Sequence, residues 1–193
     1  MEKKDTRSDI IKTGTELISR QGYNATGIEM VLKEAGVPKG SFYHYFKSKE
    51  EFGLAVMDVF ADYYSQRMST LLQDTALSPL NRIRTLLEGS LQRFSNNQCS
   101  KGCLIGNLGQ EMADQNERFR ARLDEIFDDW RTLFAACLQE AQTAEELDSR
   151  VNAAAMASFI LSGWEGAILR AKVMKSPQPL QDFIDVLFKV TLR

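Results

Sequence analysis

Histidine is almost missing from this chain: His44 is the only one among 193 residues, and there are three cysteines, Cys99, Cys103 and Cys137. A lone histidine at residue 44 leaves the rest of the chain after it with no Ser–His or Cys–His pair. The Cys99-x3-Cys103 spacing has no further cysteine or histidine nearby to complete a four-ligand zinc site. The chain also lacks a phosphate-cradling glycine loop and a Gly-x-Ser-x-Gly elbow. Of the enzyme readings, only a helical enzyme with a carboxylate-only site is left, and no cofactor or metal is expected. The longest uncharged run, Val151 to Trp164, falls short of the ~20 residues that a membrane-spanning helix needs. The opening Met-Glu-Lys-Lys-Asp carries no apolar leader segment. An odd cysteine count without such a leader points to a reducing cytosol and to no membrane partner.

Proline is scarce as well. Pro38, Pro79, Pro177 and Pro179 all fall where a helix can start or a loop can run. No stretch alternates strictly between apolar and polar residues, so strands are not expected, and the dominant period is helical. With 44% hydrophobic residues, the chain has ample material for a core. The spacing predicts about nine helices in an all-α architecture. Helix 1 covers about Asp5 to Gln21 and stops at Gly22. Helix 2 opens on a Thr26/Glu29 capping box and closes at Gly36. Helix 3 takes one to two turns around Phe42 and Phe46. A second capping box, Ser48/Glu51, starts a long helix 4 with Phe52, Val56, Val59, Tyr63 and Leu71 along its apolar side. Helix 5 follows Ser78-Pro79, and a polar loop covers Asn96 to Gly102. Helix 6 covers about Cys103 to Ala113, and helix 7 carries Phe119 to Cys137. Helix 8 spans about Leu147 to Val173, and helix 9 begins near Pro179.

Charge is distributed unevenly. Net charge is −2 overall, yet residues 1–50 hold nine Lys+Arg against seven Asp+Glu. The run Gly36-Val-Pro-Lys-Gly-Ser-Phe-Tyr-His-Tyr-Phe-Lys-Ser-Lys49 contains no acidic residue. Helices 2 and 3, joined by the Gly36-Val37 turn, have helix-turn-helix dimensions. If Phe42 and Phe46 fix one face of helix 3 to the core, the opposite face presents Lys39, Ser41, Tyr43 and His44. Gly40 allows close approach of backbone to a groove. Lysine suits a phosphate or a guanine edge, while hydroxyls usually take phosphate. Tyr43 is expected to reach double-stranded DNA, and Tyr45 to be either part-buried or phosphate-facing. Thr26, Lys49 and the start of helix 4 are further candidates for holding phosphates.

The run from Gly36 through Gly40-Ser41-Phe42-Tyr43-His44-Tyr45-Phe46 to Lys49 resembles the N-terminal signature of the TetR/AcrR family of transcriptional regulators. The specific motif covers roughly residues 10–55, and the remainder is similar in helical layout. The resemblance implies a DNA-binding domain over 1–48 and a helical ligand-binding and dimerisation domain over 49–193. It implies a bacterial homodimeric repressor, cytoplasmic and associated with the nucleoid when bound, that leaves a palindromic operator when a small molecule enters the body. Gly27 departs from the pattern, because many members carry a second hydroxyl residue after Thr26. In the family, helices 8 and 9 of two subunits form a four-helix interface. Ala155, Phe159, Ser162, Gly163 and Gly166 on helix 8 and Phe183, Ile184 and Leu187 on helix 9 would supply it here.

Phe60, Tyr63, Tyr64, Phe94, Phe127, Trp130 and Trp164, with Cys103 and Asn107 as polar groups, are candidates to line a pocket for an apolar or aromatic inducer. Core packing is the competing reading for each. The Gly102-Cys103-Leu104 segment is similar to that of the family branch that responds to electrophiles and oxidants. Cys103 at a helix start is therefore either a reactive thiol, with Cys99 as its resolving partner, or a small buried side chain.

Overall fold

The computed structural model describes residues 5–192. Among these residues there are nine α-helices, one π-helical turn and no strand. The helices are α1 (Thr6–Gln21), α2 (Ile28–Ala35), α3 (Lys39–Tyr45), α4 (Lys49–Leu72), α5 (Pro79–Asn96), α6 (Leu104–Met112), α7 (Glu117–Thr143), α8 (Ala153–Met174) and α9 (Gln178–Val186), with the π turn at Leu187–Thr191. No helix among the described residues is long and apolar enough to cross a membrane.

The chain separates into two compact units. The first runs to Tyr63 and takes in Cys103–Leu123, so α6 and the start of α7 belong with the N-terminal helices. The second holds Tyr64–Gly102 and Asp124 onward.

In the first unit the core is built from Ile10, Ile11 and Ile18 of α1, Val31 and Leu32 of α2, Phe42 of α3, Phe46, and Phe52, Val56 and Met57 of α4, all buried. Phe42, Phe46 and Phe52 form a closed triangle of rings, with centroids 5.3 to 5.5 Å apart. Tilted and edge-on rings at that spacing satisfy the aromatic quadrupole as well as removing surface from water. The caps are local chemistry. Asp5 accepts from the Ser8 amide at 3.2 Å and starts α1. Gly36, at φ 64°, ends α2 in the left-handed conformation, and the Val37 amide returns to Leu32 O at 3.0 Å. That is the helix stop glycine permits without a Cβ clash. The Ser48 half of the Ser48/Glu51 box forms, with Glu51 N–H on Ser48 Oγ at 3.1 Å, while the Glu51 carboxylate reaches one residue further back and accepts from the Lys47 N–H at 2.9 Å.

Three expectations need correcting. The Thr26/Glu29 capping box does not form: Gly27 is the N-cap of α2 and gives no side-chain cap. Helix 8 starts at Ala153 rather than near Leu147, because Asn152 accepts from the Ala155 amide at 3.0 Å while Asp148 and Arg150 close a turn ahead of it. Val59 and Tyr63 are 46% and 64% exposed, and the buried stripe of α4 passes through Met57, Ala61, Met68 and Leu72 instead.

The second unit rests on Ile83, Leu86 and Leu87 of α5, Trp130, Phe134 and Leu138 of α7, Ile160 and Trp164 of α8, and Leu180 and Ile184 of α9. Arg82 is the buried charge inside it. Its guanidinium donates to Glu140 at 2.6 Å, to Leu77 O at 2.9 Å and to Leu72 O at 3.2 Å, which ties the end of α4 to α5 and α7. The arginine side chain is 7% exposed and the glutamate 54%, so the desolvation cost falls on Arg82 and its two carbonyl partners offset it. Arg82→Ala strands those carbonyls and empties the site. Urea denaturation of that variant is expected to show a loss of about 3 kcal/mol, whereas a loss near zero would mean that the network is ornamental.

Candidate nucleic-acid interface

Seven residues make α3, too few for a helix that is stable by itself. Its rotation is set by what it buries. Phe42 is fully inaccessible and Phe46, which caps the helix, nearly so, with the Phe46 amide returning to Phe42 O at 2.9 Å. The outward face therefore holds Lys39, Gly40, Tyr43 and His44, all exposed, with Ser41 and Tyr45 half-buried at its edges. Tyr43 is 58% exposed. A Cβ added at Gly40 would meet nothing within 4 Å, so this position is open surface. His44 and Tyr45 meet edge to face at 4.8 Å. No acidic residue lies on α3. The nearest counter-charge is Glu29 of α2, whose carboxylate accepts from Lys39 Nζ at 2.6 Å. This pair is solvent-exposed; the Lys39 ammonium holds the Glu29 carboxyl below its ordinary pKa, and the glutamate holds the lysine above its own. Water competes for both partners, so Lys39 can exchange Glu29 for another anion at small cost.

Thr26 and Lys49 both engage the α1–α2 turn. Thr26 is 1% exposed, and its hydroxyl donates to Gly22 O at 2.6 Å while accepting from Gln21 Nε2 at 3.3 Å. The phosphate contact expected of Thr26 is thereby corrected, since its hydroxyl closes the α1–α2 turn from inside. Lys49 is half-buried, its ammonium 4.4 Å over the Tyr23 ring and 3.4 Å from Asn24 O, with burial holding its pKa below the usual lysine range.

Sequence reasoning missed the partners of that turn. Glu111 of α6 accepts from the Tyr23 amide at 2.8 Å and the Asn24 amide at 2.6 Å. No local pattern announces a contact between residues 88 positions apart.

The remaining candidates fall in both units. In the first, Phe60 and Tyr63 line a cavity of about 390 Å³ with Val59 and with Arg7, Ile11 and Lys12 of α1. Cys103 caps α6, its sulfur accepting from the Gly106 amide at 3.5 Å, and Asn107 is half-buried one turn on. In the second, Phe127 lines another cavity of about 390 Å³ with Asp128, Arg131 and Ser162. Trp130 is buried against Tyr64 at 4.8 Å and donates its indole N–H to Ser65 at 2.8 Å. Phe94 and Trp164 are buried, the latter 5.8 Å from Phe183. Cys99 is buried in the loop after α5 at φ 52°.

On α8 and α9, Ala155, Phe159, Ser162 and Gly166 are exposed. Gly163 faces Phe183 so closely that a Cβ there would lie 2.4 Å from the ring. Ile184 and Leu187 are each 1% exposed. Their apolar area goes to the chain's own core, so they do not supply an outer face.

Comparison with known proteins places this arrangement. Residues 10–56 match the family described as bacterial regulatory proteins, tetR family, and residues 79–187 match the tetracyclin repressor-like C-terminal domain. The transcriptional regulator AcuR of Cereibacter sphaeroides is 39% identical over 90% of this chain and 80% of its own length. The HTH-type transcriptional repressor NemR of Escherichia coli is 33% identical over 92% of this chain and 89% of its own. Among solved structures, a regulatory protein TetR from Rhodobacter sphaeroides superposes with a TM-score of 0.88 at 39% identity, covering 91% of this chain and 93% of that one. The reduced form of Escherichia coli NemR gives 0.88 at 32% identity, covering 96% and 97%.

Thr26→Val replaces the hydroxyl by a methyl of the same shape and leaves Gly22 O unmet. Unfolding free energy is expected to fall by about 1–2 kcal/mol in a urea titration. Unchanged stability with a selective loss of DNA affinity would instead return Thr26 to the nucleic-acid surface.

Proposed function

This chain belongs to the TetR family of bacterial regulatory proteins, and from that membership we propose that it is a repressor that binds a palindromic operator as a homodimer and is released by a small inducer. The observation that carries this reading is the outward face of α3. Lys39, Gly40, Ser41, Tyr43, His44 and Tyr45 offer charge, hydroxyls and an open glycine on a helix without an acid, held from behind by Phe42 and Phe46. Lys39 takes a phosphate or a guanine edge, and the Tyr43 and Ser41 hydroxyls take phosphates. Residues 1–48 are the DNA-binding domain in this reading, 49–193 hold the ligand and the partner subunit, and the protein works in the cytoplasm, on the nucleoid when bound.

A two-fold protein matches a two-fold site, and a seven-residue reading helix gains affinity by being used twice. The exposed Phe159, Leu169 and Val173 of α8, beside Ala155, Ser162 and Gly166, support a partner helix lying close there. Exposed Val186 and Val190 at the end of the chain add apolar area to the same proposal. The aromatic side chains of the body favour an apolar or aromatic inducer, which must bind the DNA-free conformer better than the DNA-bound one.

A second reading, in which the inducer is an electrophile or oxidant acting on Cys103, is favoured by one observation. The Cys103 sulfur accepts the Gly106 amide at the start of α6, and helix N-termini are among the places where thiols become reactive. Similarity to NemR, solved in a form called reduced, supports it.

Selection from a random duplex library followed by gel shift at two salt concentrations tests the main reading. Competitor-resistant binding to a short palindrome is expected. Lys39→Ala should weaken it and reduce the salt slope by about 1, and Tyr43→Ala should weaken it with little change in slope. Selection of no sequence above random duplex would overturn the reading. For the thiols the environments predict an order. Burial pushes Cys137 up to about 12, and its sulfur faces Pro79 O at 3.3 Å, so at pH 8 it stays protonated and unmodified in the folded chain. Thiol labelling with mass mapping should find Cys103 modified before Cys137. An electrophile response that survives Cys103→Ser would remove the second reading.

A further inference from the structure

The α1–α2 turn, Gly22 to Gly27, decides where α2 begins and therefore where α3 lies. Within the turn, Thr26 N–H donates to Tyr23 O at 3.1 Å and the Thr26 hydroxyl to Gly22 O. Two amides of the turn, those of Tyr23 and Asn24, point away from this internal network, and one carboxylate takes both: Glu111 Oε2 at 2.8 Å and Oε1 at 2.6 Å. Gly22 makes room for it. At φ 89° with no side chain, it lets the carboxylate in, and a Cβ there would stand 2.8 Å from Glu111 Oε2. One turn beyond Glu111, Gln115 Oε1 accepts from Asn24 Nδ2 at 3.3 Å, and Asn116 Nδ2 donates to Glu50 of α4 at 3.3 Å. A bidentate carboxylate on two successive amides is a charge-assisted clamp, stronger and more directional than neutral hydrogen bonds. α6 itself begins at the Cys103 cap. One short helix thus carries a reactive-thiol candidate at its N-cap and the clamp on the helix-turn-helix in its last turn.

We propose that Glu111 is a positioning residue for operator binding, through which α6 holds the α1–α2 turn and so sets α2 and α3 for the groove; this rests on the regulator reading above. Occupancy of the operator and the state of α6 are then coupled, and by linkage the coupling runs both ways. No effector is needed to see it.

The test uses the whole chain, the palindrome selected from the random library, and the variants Glu111→Gln, Glu111→Ala and Asp114→Asn. Asp114 is exposed near the end of the same helix, and its neutralisation removes the same charge without touching the clamp. Electrostatics alone predicts that losing a negative charge strengthens DNA binding, so Asp114→Asn should bind as well as the wild-type chain or better. The two Glu111 variants should bind about tenfold more weakly, the size expected for losing hydrogen bonds to a charged group. Hydrogen exchange separates positioning from simple destabilisation. In the wild-type chain, adding operator should slow exchange at Tyr23, at Asn24 and along residues 104–112. In Glu111→Gln the first two amides should exchange faster in the free protein, and the DNA-induced change along 104–112 should disappear while the core of α5 and α7 stays protected. Glu111 variants that bind like Asp114→Asn, or an α6 that responds to operator without Glu111, would overturn the proposal alone. A wild-type chain that selects no duplex overturns the regulator reading and this inference with it.

Discussion

Burial of Phe42 and Phe46 is the constraint on which the interface depends. A seven-residue helix contributes almost nothing to its own stability, so its existence and its rotation both come from the two rings beneath it and from Phe52 of α4 against which they pack. Removing two aromatic side chains from water contributes several kcal/mol. That is enough to hold a lysine, two tyrosines, a serine and a histidine on a helix whose first residue has no side-chain cap. Lys39, Gly40, Tyr43 and His44 are thereby left exposed on the outer face. The open space around Gly40 and the exposed Tyr43 follow from the same rotation.

Much of this was legible because it is written in short spacings. Helical periodicity located nine helices, the i, i+4 pair Phe42/Phe46 oriented α3, and Gly36 marked the turn. What failed to read correctly was the chemistry of helix starts, where two side chains compete for one role. Thr26 looks like an N-cap, yet its hydroxyl finds the Gly22 carbonyl and the cap passes to Gly27. Asn152 lies inside a run that looks helical from Leu147, yet its side chain satisfies the Ala155 amide and begins the helix there. Interactions between segments far apart in the chain were not legible at all. The Glu111 clamp and the Arg82 network join residues 58 to 88 positions apart, and nothing in local composition singles out either charge from its exposed neighbours. The apolar side chains of α9 and the π turn after it divide for a related reason: Ile184 and Leu187 turn inward, while Val186 and Val190 stay exposed. A helical stripe identifies apolar residues without saying which neighbour, inside or outside the chain, will cover them.

The three cysteines show how environment separates identical groups. Cys137 is enclosed between α7 and the start of α5, and desolvation holds its proton. Cys99 is buried in a loop whose backbone adopts positive φ at two successive residues. Cys103 is half-buried and receives an amide at the head of α6. Only the last combines access with a dipole that favours the anion. The comparison makes the thiol reading depend on position in the fold rather than on cysteine content.

Charge follows the same logic at a larger scale. A net charge of −2 would repel a polyanion if it were spread evenly over the surface. The fold instead directs the acids near α3 into defined pairs: Glu29 with Lys39, Glu51 with the Lys47 amide, Glu111 with the Tyr23 and Asn24 amides, and Glu50 with Asn116 and Arg118. Glu29 and Glu50 are compensated by a cation, whereas Glu51 and Glu111 keep their charge while holding amides in place. A phosphate approaching that face meets Lys39 and the hydroxyls on a helix that itself carries no acid. The acidic composition of the chain and an anion-seeking surface are thus compatible, because the placement of acids off α3, rather than their number, sets what a phosphate meets first on that helix.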